Sequence, residues 1–155
     1  MQYEQLGDHY VVRLDEGEEV LWTLRRFLVE HDILAGRFMA WGTFRGLRLQ
    51  HNRPVAGRYE PRVVDLEGPL EVASLLGNIS TLDDEPVLHA HVTVGDAAWR
   101  TYSGHLASGT VGPTLEVVVK VLPRALHRFW NDRLHVAVLD PEEAPEEAER
   151  LEAWP

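Results

Sequence analysis

The chain contains no cysteine, which excludes disulfides and thiolate metal sites, so any metal it holds must be bound by His, Asp or Glu. It has no apolar run near the roughly 20 residues that a membrane-spanning helix requires. Its start, Met1-Gln2-Tyr3-Glu4, lacks the charged and apolar regions of a signal peptide. A cytoplasmic protein with no membrane partner is expected. A P-loop, GxGxxG, GxSxG and a helical HExxH are also missing, so nucleotide binding, serine hydrolysis and helix-borne zinc chemistry have no positive support. No repeat at a solenoid period is present. Basic residues are the minority, 15 Lys and Arg against 25 Asp and Glu for a formal charge of −10, which argues against an unaided grip on nucleic acid.

What is present suits one soluble domain of ordinary size: 155 residues, 45% hydrophobic and 26% charged, enough to bury a core without staples. The acidity is concentrated at the end. From Asp140 to Pro155 seven acidic residues face the single Arg150, so the body from Met1 to Leu139 carries only −4. Residues 1–139 are read as the domain and 140–155 as an acidic tail, in which Glu142 to Leu151 has helical character. Within the body, Arg45, Arg48, Arg53, Arg58 and Arg62 crowd one region; they form either a basic patch or a solvated face.

Along the chain, His9 to Leu14 alternates as a strand with Tyr10, Val12 and Leu14 on one side. A helix follows, with Asp15 as its cap, Glu18 reaching back in a capping box and acidic residues in its first turn. Val20, Leu21, Leu24, Phe27 and Leu28 form its core stripe, and it ends near His31 or Asp32. Trp22 and Val29 fall on its far side, a hint of a subunit contact. Residues 35 to 51 read as a long strand bent at Gly36, Gly42 and Gly46. A loop over Asn52 to Gly57, a strand from Tyr59 to Leu66 and a turn at Gly68-Pro69 come next. Leu70 to Ser80 is extended, and Asp83-Asp84-Glu85 turns the chain. Leu115 to Leu122 is the strongest strand, β-branched enough for a central position. Arg124 to Trp130 suggests a short helix or turn before a last strand, Leu134 to Leu139.

The stretch between these elements carries the chemistry. Pro86 to Val94 and Tyr102 to Leu106 read as two arms of a hairpin joined by turn material at Gly95 to Ala98. Alternation puts Val87, His89, His91 and Thr93 on one face and Leu88, Ala90, Val92 and Val94 on the other. With the turn centred on Ala97, His105 lies across from His89 and diagonal to His91, on the same face; a one-residue slip would reverse it. His89, His91 and His105 can thus form a three-histidine divalent metal site with one position open. The same pattern also fits three structural histidines.

Taken together, the acid-capped helix, Ala35-Gly36 with Gly42, Gly68-Pro69-Leu70-Glu71-Val72, Leu75-Leu76-Gly77-Asn78-Ile79, Leu88-His89-Ala90-His91-Val92 and Gly104-His105-Leu106 resemble the plants-and-prokaryotes-conserved (PPC) domain over about Tyr10 to Leu139. The resemblance implies a single compact α+β domain, its mainly antiparallel sheet packed with helices, assembled as a homotrimer. In plants such domains follow AT-hook segments that bind the DNA minor groove, and stand-alone relatives are often labelled DNA-binding by kinship. No Arg-Gly-Arg-Pro arm is present here. The fold is also similar to that of acetolactate decarboxylases, whose strand-borne His-x-His and later His hold zinc; His89, His91 and His105 fall on those positions. Ser103 stands where relatives often have glycine, and the decarboxylase's other catalytic residues find no match.

Three functions follow as expectations. The first is a trimeric PPC-type module holding a divalent ion, zinc ahead of nickel, copper or iron, all of which suit imidazole donors, and able to take a small anionic or carbonyl ligand. The second is a metal-dependent lyase or hydrolase, with Glu71 or an arginine of the bent strand completing the chemistry. The third is a DNA-associated regulator using the arginine-rich region.

Overall fold

Period-two alternation dominates the chain, and the computed structural model builds from it a mainly antiparallel sheet with one short helix; it describes residues 1–55, 58–132 and 134–141, with Arg58 described by its backbone alone. In chain order the elements are β1 (Gln2–Leu6), β2 (His9–Asp15), α1 (Val20–Glu30), β3 (Gly36–Val55), β4 (Arg58–Leu82), β5 (Glu85–Asp96), β6 (Thr101–Val121), β7 (His127–Asn131) and β8 (Val136–Asp140). The sheet runs β1-β2-β6-β3-β4-β7-β8, and β5 pairs with both β4 and β6. β3, β4, β5 and β6 therefore pair in a closed circuit, which leaves these four without a free edge along their shared length.

The core lies on the face that the alternation selects. Tyr10, Val12 and Leu14 of β2 are buried as expected, as are Ala90, Val92 and Val94 of β5 and Leu115, Val117 and Val119 of β6. α1 covers this face with Val20, Leu24, Phe27 and Leu28, each less than 2% exposed; removal of each such side chain from water contributes about 1.5–3 kcal/mol. β6 is central, bonded to β2, β3 and β5 along its length.

The helix starts later than its acidic lead-in suggests. Glu18 does accept a hydrogen bond from the Asp15 amide at 2.7 Å, yet Gly17 donates to the Val111 carbonyl and Val111 donates to that of Glu18. This lacing to β6 keeps residues 17–18 out of the helix, Gly17 in a left-handed turn (φ +85°), so the cap passes to Glu19. Its carboxylate accepts from the Trp22 amide at 2.7 Å and from the Gly109 amide at 3.0 Å, tying the helix start to the sheet. The acidic residues precede the first turn instead of filling it.

Several expected breaks are absorbed into longer strands. The loop placed at 52–57 is strand through Val55, with residues 56 and 57 outside the described set. Gly68-Pro69, expected as a turn, lies inside β4 opposite a register shift between Phe44 and Gly46. There the backbone of β3 approaches so closely that a Cβ on Gly68 would lie 2.7 Å from the Arg45 Cα. The strands expected at 102–106 and 115–122 are one strand, β6. The segment Arg124 to Trp130 is neither helix nor turn over its second half: His127 onward is β7, because Thr81 donates its amide to the Leu126 carbonyl at 2.7 Å and draws the segment alongside β4. The sheet is thus packed with one helix among the described residues, not several. The helical stretch expected over Glu142 to Leu151 lies outside the described residues.

Candidate metal centre

The β5–β6 hairpin places the three histidines. Asp96 accepts hydrogen bonds from the amides of Ala98 and Arg100, both at 2.9 Å, and Trp99 adopts a left-handed conformation (φ +60°). This is the geometry of a three-residue hairpin loop. It centres the turn on Ala98, so His105 pairs directly with His91, where the simpler turn centred on Ala97 would have paired it with His89. The difference is two positions in register, an even number, and the face is preserved. His89 pairs with Asn78 and His91 with Leu76 on β4, and His105 with Gln50 on β3.

The imidazoles converge on the face opposite the core. Ring centroids are 5.4 Å apart for His89 and His91, 5.1 Å for His89 and His105, and 5.5 Å for His91 and His105. One ring nitrogen from each lies within 4.8 Å of the others. A tetrahedral ion with bonds of about 2.0–2.1 Å holds its nitrogens about 3.4 Å apart, so ring rotations of about an ångström complete a three-nitrogen set. His89 and His105 are half-buried and His91 is exposed, so the group is reachable from solvent.

The environment favours the neutral form of His89 and His105, the form that binds a metal. Burial, followed by the Arg128 guanidinium and the other two histidines, pushes the pKa of His89 down to about 4. Burial, followed by His91, lowers that of His105.

Arg128, on β7, is the neighbour that inspection of the sequence missed. Its Nε donates to Ser80 Oγ at 2.7 Å, Nη1 to the Ala137 carbonyl at 2.9 Å and Nη2 to Asn78 Oδ1 at 2.9 Å, and Nη2 lies 3.4 Å from His89 Nδ1. Nothing local marks it: only the β4–β7 pairing brings residue 128 beside residue 89.

Other nominated groups lie apart. Glu71 is exposed and pairs with Gly95, four positions along β5 from His91, about 13 Å at the rise of a strand. Arg48 makes two hydrogen bonds to Asp65, at 2.7 and 3.0 Å. Arg53 pairs in register with Glu60, an acid, while Arg62 lies opposite His51. Trp22 and Val29 are 60% and 51% exposed, with the Arg26 guanidinium 4.8 Å from the Trp22 ring centroid.

Comparison with known proteins gives a family and several solved structures of the same fold. The model of the Plants and Prokaryotes Conserved (PCC) domain matches residues 1–123. A candidate DNA-binding protein from Bacteroides thetaiotaomicron has 27% identity and a TM-score of 0.84, with 90% of this chain and 96% of that one covered. A metal-containing protein from Archaeoglobus fulgidus has 28% identity and a TM-score of 0.75, covering 90% and 98%. A Staphylococcus aureus protein similar to α-acetolactate decarboxylase shares the fold at 13% identity, with a TM-score of 0.55 over 76% of this chain and 53% of that one. No curated protein matches the chain.

Proposed function

The chain belongs to the Plants and Prokaryotes Conserved domain family, and from that footing we propose that it is a cytoplasmic homotrimeric module that holds a divalent ion, zinc, through His89, His91 and His105 and presents it to a small anionic or carbonyl ligand. One observation carries this reading: three imidazoles from two adjacent strands offer nitrogens within 4.8 Å of one another. Three neutral nitrogen donors suit zinc, nickel, copper or iron far better than magnesium or calcium. The Archaeoglobus fulgidus relative, named as metal-containing, lends it support. When bound, the ion would supply Lewis-acid polarisation at its open position.

The residues of the chain itself supply the rest. The β5–β6 register aims the rings, Ala90 and Val92 anchor the strand in the core behind them, and Arg128 holds a fixed positive charge at the edge of the site. A lyase or hydrolase would need a proton donor or acceptor beside the ion, and Glu71 is too far along the strand for that role. The reading is tested by elemental analysis of protein purified without a histidine tag, beside the variant H89A/H91A/H105A.

A further inference from the structure

Arg128 is a half-buried cation whose partners among the described residues are all neutral: a hydroxyl, a main-chain carbonyl, a side-chain amide and an imidazole. Burial of a guanidinium disfavours its charged form, yet the group stays protonated in proteins. Its Nη2 is 3.4 Å from one of the three histidines. Loading a divalent cation onto that histidine therefore adds two positive charges beside one that has no counter-charge among the described residues. Like charges so placed repel, more strongly here than in water. An anion that touches both cations turns the repulsion into attraction.

The guanidinium has five N–H donors, and four are directed at the groups just named, leaving one on Nη1. It is held in place by Ser80, Asn78 and the Ala137 carbonyl rather than swinging on a free stem. Ser80 is fully buried, so the Nε bond to its hydroxyl fixes the root of the fork. The one remaining Nη1 N–H, held in a fixed place, can serve one oxygen of a planar two-oxygen anion whose other oxygen reaches the ion.

We propose that Arg128 makes the three-histidine site anion-dependent: a divalent ion is held tightly only together with a small carboxylate, one oxygen of which takes the ion's open position while the other accepts from the guanidinium. This rests on the three-histidine reading of the site and narrows its ligand class from anions and carbonyl compounds to carboxylates. Because coupling between two ligands is reciprocal, the carboxylate also binds more tightly when the metal is present.

The test is zinc affinity, measured by competition with a chromophoric chelator in chloride buffer alone, with acetate and with phosphate, for the parent, R128Q and R128K. In the parent, saturating acetate tightens zinc binding at least tenfold. R128Q binds zinc in chloride as well as the parent or better, since the repulsion is gone, and its acetate effect falls below twofold. R128K, which keeps the charge and loses the fork, retains only part of the effect; circular dichroism identifies which variants are folded. An acetate effect below twofold in the parent, or one undiminished in both folded variants, overturns the proposal. A larger enhancement by phosphate than by acetate overturns the carboxylate assignment. Failure of the parent to bind zinc in every buffer is a different result and removes the metal site itself.

Discussion

His91 and His105 are direct cross-strand partners, one on β5 and one on β6, with ring centroids 5.5 Å apart. Residues directly opposite on adjacent strands share a face, so this single pairing, together with the i, i+2 spacing of His89, gathers three imidazoles on one surface. It also ties the site to the hairpin loop held by Asp96.

Acidification of the metal-free protein is expected to cost stability. The pKa of His89 is about 4 in the fold, below its ordinary value of 6.5, and that of His105 is shifted the same way. Between those two values the unfolded chain binds protons that the native state refuses, so stability is complete above pH 6.5 and declines as the pH falls toward 4. Urea unfolding from pH 7.5 to 4 checks this, with H89Q as the control. A slope in H89Q as steep as in the parent would contradict it.

Gly77→Ala tests how the core positions the site. Gly77 pairs with Ala90 between His89 and His91, and a Cβ there would run into the buried Phe38 ring and come within 2.8 Å of the His89 carbonyl oxygen. Overpacking of this kind costs about 1–3 kcal/mol. The variant should also bind metal more weakly, and F38L, by vacating the space, should restore much of both losses. Chemical denaturation of the two single variants and the double variant reads the coupling.

Much of this was legible from residue order, and the failures have physical causes. The face of each histidine follows from parity alone, which survives a two-residue difference in register; the register itself depends on Asp96 and the left-handed Trp99, which a turn read from Gly95 to Ala98 does not reveal. Breaks expected at Gly68-Pro69 and before Leu115 vanish because bulges let glycine and proline sit inside strands. The start of α1 was misplaced because bonding to β6 overrides a good local cap. Arg128 was invisible because its role is made by a long-range pairing, Thr81 with His127.

Duplex DNA should bind weakly or not at all at about 0.15 M salt. The formal charge is −10, Arg48 is engaged by Asp65, and phosphate contacts of free Lys and Arg dominate such affinity. Filter binding across salt concentrations measures this. Tight, steeply salt-dependent retention would favour the DNA-binding role for which the Bacteroides thetaiotaomicron relative is named.

Light scattering should give three times the chain mass of 17.6 kDa. W22E/V29E, which places charge on the exposed side of α1, should lower that mass if this side of the helix meets a neighbouring subunit. A monomeric parent would contradict the trimer.

The most direct measurement is metal content per chain, by elemental analysis of untagged protein and of H89A/H91A/H105A. Close to one zinc per chain in the parent and none in the folded variant is the expected result. No bound metal in the parent after incubation with zinc in the presence of acetate, or equal metal in both proteins, would contradict the three-histidine site.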